Sequence, residues 1–392
     1  MRDAKAPVYA AACADYSPER CRAAVAELAD RFPALRDIAP GARVLVKANL
    51  VTALRPEKAA TTHPALLAAL TEYLSARGAS VTIGDSPGGP FTKGYLEGVY
   101  AATGLRTTGA AINADFGVKH ADFPEAAALR DFDYTGWLDG GDLIVNFCKL
   151  KSHGMMGLSC AVKNLFGAVP GLTKPAYHYR FPDYAQFADM LLDLNEYFRP
   201  AVNFVDAVTA MEGNGPTAGT PRHIGALFAS ESPYTLDLVC AGLIGLGCGQ
   251  VPTLAAAARR GFAPESADAV PVVGDLTPFR TPDFDTASAD AGMEQFLAGS
   301  GLGALFNRAA RDILAVRPRL APERCIGCGK CAGLCPAQAI ALVKERPRID
   351  RGRCIRCFCC QEFCPVGALS ARRSALGDFA LRHTQRSAGK ET

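Results

Sequence analysis

The sequence predicts an α/β fold with a mostly parallel sheet, followed by a small α+β module that ligates metal through cysteine. Three observations carry this. Strand-length hydrophobic runs alternate with runs of helical period from Gly41 to about Asp275; such alternation builds parallel sheets, because each crossover is long enough to be a helix. Nine of the 15 cysteines lie between Cys325 and Cys364, a density that suits cofactor ligation in a reducing compartment better than a disulfide framework. Charge breaks at the same place: residues 317–375 hold 12 Lys/Arg and 4 Asp/Glu, or +8, against −5 for the rest of a chain of net charge +3.

The elements follow in order. Residues 1–40 read as an N-terminal extension. Arg43–Lys47 (RVLVK) is an apolar, β-branched strand. Pro64–Ala76 has helical spacing and stops at Gly78, and Ser80–Gly84 is the next strand. Thr92–Thr103 is a weaker helix closed by Gly104, and Asp142–Phe147 (DLIVNF) a buried strand. In Asp183–Phe198 the residues Phe187, Met190, Leu191, Leu194 and Phe198 share one helical face, and Pro200 ends the run. Ala201–Val205 and Ile224–Ala229 are strands, and Ser232–Leu246 is a helix with Pro233 in its first turn. The organisation expected is an α/β domain over 41–275, a linker with a helical segment over 276–316, the cysteine module over 317–371 and a basic tail over 372–392.

Composition narrows the function classes. With 49% hydrophobic and 21% charged residues the chain is not of the disordered class. No apolar run reaches the roughly 18 residues of a membrane span, and no signal peptide is recognisable at the start, so a cytoplasmic location is expected, without membrane contact. A net charge of +3 gives no reason to expect nucleic acid.

Two cysteine runs repeat one spacing, C-x-x-C-x-x-C-x-x-x-C-P, ending at Pro336 and Pro365. That spacing wraps three thiolates around one cubane and sends the fourth to its neighbour. Residues 319–369 resemble the two-cluster bacterial ferredoxins. The resemblance implies one 4Fe-4S cluster on Cys325, Cys328, Cys331 and Cys364, and a second on Cys354, Cys357, Cys360 and Cys335. Zinc is the alternative, and zinc modules seldom need a doubled eight-cysteine pattern. Cys359 is left over as a packed thiol.

In parallel sheets ligands bind beyond the carboxyl ends of the strands. The segments there are Lys47-Ala48-Asn49, Asp85–Gly89, Lys149–Gly154, and Asp206 with Glu212–Pro216. From Leu143 to Pro182 there is no acid, yet four of the chain's 12 lysines, Lys149, Lys151, Lys163 and Lys174, fall there with His153 and His178. An acid-free basic block at a strand end points to an anionic ligand, with a plain basic surface as the alternative. Lys149, Lys151 and Lys163 are the expected charge-binding and catalytic residues, and His153 the expected proton donor. Asn49, Asp85, Asn164 and Asn214 are expected to orient substrate or lysines. Lys174, His178, Asp206 and Glu212 complete the expected substrate-binding set.

VLVKANLV (44–51), GDSPGG (84–89), KLKSHGMMGLSCAVKNLFGAVPG (149–171) and VDAVTAMEGNGPTAG (205–219) resemble domain-of-unknown-function family 362. The resemblance covers roughly residues 40–275, and members of that family often carry a C-terminal two-cluster ferredoxin module. A distant analogy to the lactate racemase fold implies two α/β lobes with the site between them. The expected function is an iron–sulfur oxidoreductase that passes electrons from an external donor (ferredoxin, flavodoxin or reductase) through two 4Fe-4S clusters to a small anionic, unsaturated organic substrate. A homodimer is compatible with this. The rival expectations are a non-catalytic electron-delivery or assembly protein that docks a partner, and a non-redox isomerase-like enzyme with structural clusters.

Overall fold

The computed structural model describes residues 4–286 and 315–372. Its main strands are β1 (Val8–Ala12), β2 (Arg43–Lys47), β3 (Ser80–Gly84) and β4 (Ala111–Ile112). A separate hairpin, β5 (Val118–Asp122) and β6 (Asp131–Thr135), precedes β7 (Leu143–His153) and β8 (Gly157–Ser159). Then come β9 (Val202–Glu212), β10 (Thr220–Ser230) and β11 (Val272–Val273). The described residues form one nine-stranded sheet in the order β11-β1-β10-β9-β7-β2-β3-β4, with β8 on the outer end of β7. The β9–β7–β2–β3–β4 half is parallel, while β10 runs antiparallel to both its neighbours. This single sheet stands where the racemase analogy implied two lobes.

Period-two alternation divides the core. Val44, Val46, Phe147, Phe204 and Leu227 face one apolar layer with the helices Pro18–Ala29, Pro64–Ser75 and Lys93–Ala102. Leu45, Cys148, Leu150, Val205 and Phe228 face the other, with the helices Tyr184–Phe198, Pro233–Leu243 and Pro252–Arg259. The Asp183 carboxylate caps Tyr184–Phe198 by accepting from the amides of Ala185 and Gln186.

The segment read as an N-terminal extension is not one. β1 lies inside the sheet between β10 and β11, because Val8, Ala10 and Ala11 are small or branched enough to be buried there. The domain also continues past 275, since Phe279 and Phe284 are buried in its core. The expected helical segment within 291–314 and the tail beyond Arg372 lie outside the described residues.

In the cysteine module β12 (Arg317–Leu320) pairs with β15 (Leu369–Arg372), and β13 (Ile340–Val343) with β14 (Arg346–Ile349). One helical turn follows in each cysteine motif, Lys330–Gly333 and Cys359–Glu362. The module shares apolar contacts with the sheet, since Val316, Phe358 and Ala371 belong to one α/β layer. At the contact, a side chain on Gly154 would lie 2.9 Å from Ala371 and Gln361, so only glycine fits. The Gln361 amide donates to Asn214 Oδ1 (2.6 Å) and to the Gly215 carbonyl (3.0 Å), and the Thr217 hydroxyl donates to the Glu362 carbonyl (3.3 Å).

Candidate active site

The ends of β2, β3 and β7, the helical turn Ala161–Asn164 and the cysteine module enclose a cavity of about 80 Å³. Its basic wall is Lys47, Lys151, Lys163 and Lys174, with His178 beside them. Asn49, Asn164, Ser86 and Ser159 supply neutral polar groups. The module contributes Cys359, Glu362 and Phe363.

These lysines arrive by different routes. Lys47 ends β2 with its amine 2.7 Å from Asp85 Oδ1, fully buried. Gly167 leaves room for that pair, since a Cβ there would collide with both partners. Lys151 lies on β7, which runs on to His153 rather than turning after Phe147. Its amine donates to Asn49 Oδ1 (2.6 Å) and to the Ala60 carbonyl (2.8 Å). Lys163 sits on the turn Ala161–Asn164, its amine 5.9 Å from the Phe166 ring centre. Lys174 donates to the Ser86 carbonyl.

A chain of amides leads to Lys151. Asn146 Nδ2 donates to Asn203 Oδ1 (2.8 Å), Asn164 Nδ2 to Asn146 Oδ1 (2.7 Å), and Asn49 Nδ2 to Asn164 Oδ1 (2.8 Å). Each oxygen is thereby committed as an acceptor, and the last, Asn49 Oδ1, faces the Lys151 amine.

Burial and like charge set the protonation of the wall. Burial, then the charge of Lys163, draws Lys151 down to about 7. Burial likewise brings Lys174 to about 7, with Asp85 opposing and Lys47 and Lys163 assisting. His178, stacked on Phe187 at 4.3 Å, is held neutral by burial, with a pKa of about 3. Burial would raise the Glu362 carboxyl, but Lys163 and His153 outweigh it and hold it below the usual range.

His153 does not line the cavity. It is fully buried, and its Nδ1 accepts from the amides of Met155 and Met156 (3.1 and 3.2 Å). The proton therefore belongs on Nε2, which lies 3.0 Å from Glu362 Oε1. Burial and Lys163 lower its pKa to about 4. His153 thus stands against Glu362 as a neutral ring.

Three further expected site residues are elsewhere, and a fourth binds the module. Lys149 pairs with Asp206 at 2.6 Å and donates to the Tyr16 hydroxyl (2.8 Å) and the Thr209 carbonyl (2.9 Å). Asp206 also accepts from Tyr16 (2.9 Å) and the His63 amide (3.0 Å), so neither partner has capacity for a ligand. The separation of Lys149 from Lys151 has a backbone cause: the β7–β9 ladder pairs Lys149 with Asp206 but Lys151 with Met211. Glu212, at the end of β9, accepts from the Asp285 amide (3.1 Å). Asn214 binds the module, donating to the Leu369 carbonyl and accepting from Gln361. Asn49, Asp85, Asn164, Lys151, Lys163, Lys174 and His178 do converge on the cavity.

Sequence reasoning placed Lys47 at a strand end without giving it a role, and passed over Glu362, Asn146 and Asn203. Each left a signal: Lys47 follows the apolar run Val44–Val46, and Glu362 is the one acid between Cys354 and Cys364. A buried asparagine inside an apolar strand, as in Asn146 and Asn203, was the signal for the amide chain.

The cysteines of the module fall into two groups. Cys325, Cys328, Cys331 and Cys364 line one pocket. Cys354, Cys357 and Cys335 lie close enough to interact electrostatically with Cys360, as does Cys331 of the first group. This donor chemistry, four thiols around a common space, fits a 4Fe-4S group. Among the described residues no helix is long and apolar enough to cross a membrane.

Comparison with known proteins bears on both parts. The family described as domain of unknown function (DUF362) matches residues 44–242, and a 4Fe-4S dicluster domain matches residues 317–365, so the module is of a 4Fe-4S-binding type. The chain is 32% identical over 232 residues to the thylakoid-associated protein sll1697 of Synechocystis sp., covering 59% of this chain and 72% of that protein. The lactate racemase apoprotein of Thermoanaerobacterium thermosaccharolyticum is similar with a TM-score of 0.40 at 12% identity, over 63% of this chain and 59% of that one. A Thermotoga maritima protein gives 0.36 at 12% identity, over 59% of this chain and 60% of that one. The chain thus spans about three fifths of each solved structure, and likenesses this remote assign nothing to it. By the family match and the Synechocystis relative together, the chain belongs to the DUF362 family.

Proposed function

We propose that the protein is an iron–sulfur oxidoreductase acting on a small anionic organic substrate in the cavity between sheet and module. One observation carries this reading. The turn Cys359–Glu362 belongs to the second cysteine motif and is also a wall of the basic cavity. A redox module that merely decorated the chain would have no reason to close an anion pocket.

Cys325, Cys328, Cys331 and Cys364 would hold one cluster and Cys354, Cys357, Cys360 and Cys335 the second, and the pair would supply one-electron transfers. Lys163 binds the substrate's charge, with Lys151 and Lys174 beside it and the Lys47–Asp85 pair as the fixed floor. His153 holds the Glu362 carboxylate in place. At roughly 10–15 Å³ for each water-sized group, about 80 Å³ holds on the order of half a dozen heavy atoms. The first motif would be the side open to an external electron carrier, since Cys328 is exposed and Ile326 near it is 64% exposed. A cytoplasmic location fits the cysteine chemistry, and the name of the Synechocystis relative raises peripheral association with a membrane, which cell fractionation decides.

Anaerobic reconstitution should load about eight irons per chain. Reduced protein should then be reoxidised by small unsaturated carboxylates. Lys163→Ala should keep the iron and weaken their binding about ten- to a hundredfold, the cost of one charged hydrogen bond. Equal reoxidation by parent and variant would move the site elsewhere and favour a partner-docking role.

A further inference from the structure

Buried lysines in this protein come in two kinds. Lys47 and Lys149 each touch a carboxylate, Asp85 at 2.7 Å and Asp206 at 2.6 Å. Lys151, 1% exposed, touches no carboxylate among the described residues. Its partners are two neutral oxygens, Asn49 Oδ1 at 2.6 Å and the Ala60 carbonyl at 2.8 Å. The first cannot present a donor instead, because the other end of the Asn49 amide is committed to Asn164. A neutral amine has two N–H bonds and one lone pair. Two acceptors use both N–H bonds and leave the lone pair, on a side chain that lines the cavity. The charged and titratable groups around it are Lys163, Lys149, Cys148 and Glu362, and burial with Lys163 favours the neutral amine. A desolvated lysine next to another cation is the usual arrangement for a nucleophilic amine.

We propose that Lys151 is a nucleophile that forms an imine with the carbonyl of a small 2-oxo acid whose carboxylate Lys163 holds. The Lys151 nitrogen adds to the carbonyl carbon to give a carbinolamine. The C–O bond then breaks, and the oxygen leaves as water carrying the two protons of the amine. The C=N bond that remains can be protonated to the iminium and hydrolysed by the reverse path, so no oxidant or reductant is consumed. The iminium withdraws electrons from the adjacent carbon, which serves reduction and proton abstraction alike. A 2-oxo acid satisfies the cavity's two demands, a carbonyl for Lys151 and an anion for Lys163, within about half a dozen heavy atoms. This inference rests on the cavity being the substrate site, though not on electron transfer.

The test uses the full chain with clusters loaded, incubated at neutral pH with pyruvate or glyoxylate and cyanoborohydride, then digested and mapped by mass spectrometry. The expected result is one saturable secondary-amine adduct on Lys151. Lys163→Ala should raise the pyruvate concentration needed for half-trapping about tenfold or more, and acetone, lacking the carboxylate, should trap poorly. Lys151→Arg should abolish the adduct. Asn49→Asp is the second variant: it sets a carboxylate beside the amine, keeps it charged, and should cut trapping at neutral pH about tenfold or more, with recovery at higher pH. A merely structural Asn49 would show no such pH recovery. Adducts on Lys174 or scattered over surface lysines, or none at Lys151 while cluster reoxidation by 2-oxo acids proceeds, would overturn the proposal. An adduct on Lys151 without cluster reoxidation would instead sustain the imine and remove the redox reading.

Discussion

Lys149 and Lys151 stand two residues apart on one strand, each 1% exposed, and the protein treats them oppositely. Lys149 meets a carboxylate, a phenol and a carbonyl in a group complete in itself. Lys151 meets an amide oxygen and a carbonyl at the wall of a cavity. The first arrangement offsets the cost of burying an ammonium with a fixed counter-ion. The second has no counter-ion, so burial and the charge of Lys163 favour loss of the proton and leave a neutral amine. The counter-charge, rather than burial or residue type, separates a lysine that holds the fold from one available for chemistry.

The largest contrast should be in stability. Asp206→Asn leaves the Lys149 ammonium buried without its partner and weakens the acceptor of Tyr16 and His63, which should cost about 3–5 kcal/mol. Lys151→Met leaves Asn49 Oδ1 and the Ala60 carbonyl without a donor, at about 1–3 kcal/mol each, but also removes an amine whose burial no carboxylate offsets, so the net loss should be smaller than that of Asp206→Asn. Urea midpoints of the two variants measure the difference. Equal losses would mean that Lys151 is as structural as Lys149.

Glu362 sharpens the comparison, because among the described residues it is the one carboxylate of the cavity wall besides Asp85, which is taken by Lys47. It comes from the module and faces Lys163 and His153 across the contact. Glu362→Gln keeps the shape and removes the charge that competes with a bound anion. Affinity for pyruvate or another small carboxylate should rise about tenfold, less at high salt. A fall in affinity would show that the carboxylate orders the pocket more than it opposes the ligand.

The pH dependence of stability follows from the same groups. Lys151 and Lys174 titrate near 7 in the folded chain against 10.5 ordinarily. Between those values the unfolded chain binds more protons, so stability should rise with pH, by at most about 1.4 kcal/mol per pH unit for each lysine. His153 and His178, at about 4 and about 3 against 6.5, add a rise over the acid range up to pH 6.5. Glu362, held below its ordinary range, loses its stabilising effect over the same acid range as pH falls. Lys151→Met should flatten the alkaline rise only in part, since Lys174 keeps its share and burial draws Lys47 and Lys149 below 10.5 as well, and Asp206→Asn, which removes the charge that holds Lys149 up, should extend the rise. A flat alkaline limb in the parent would refute the neutral amines.

Local pattern revealed some of this and could not reveal the rest. β2 and β3 fall on the residues their apolar runs indicate, Arg43–Lys47 and Ser80–Gly84. β7 is longer than expected because Lys149, Lys151, Ser152 and His153 are buried, which breaks the rule that polar residues mark the end of a strand. β1 escaped notice because VYAAA has too little side chain to signal burial without its partners. The acid-free block was visible, and it did locate Lys151, Lys163, Lys174 and His178 at one cavity. Which lysine found a carboxylate was invisible, because it depends on the parallel register that brings Asp206 beside Lys149. The contribution of Glu362 depends on docking between parts far apart in the chain.

The smallest effect should come from the far end of the amide chain. Asn203 lies on β9, fully buried, and reaches Lys151 only through Asn146, Asn164 and Asn49. It donates in turn to the carbonyls of Ser230 and Glu231 at 3.3 and 3.2 Å, so its own orientation is held by backbone. Asn203→Ala removes the acceptor of Asn146 Nδ2, which retains the Ala161 carbonyl at 3.0 Å. The loss in stability should be about 1–3 kcal/mol, from buried polar groups left unmade. If the chain orients the acceptor at Lys151, freedom in Asn146 should pass along it and slow imine trapping severalfold, while iron content and Lys163-dependent anion binding stay at the parental level. Asn203→Asp, which restores an acceptor in the same place, should recover much of the trapping. A variant that loses stability alone, with trapping unchanged, would confine the role of Asn203 to the fold and end the orienting chain at Asn164, whose Nδ2 also donates to the Lys47 carbonyl at 3.1 Å.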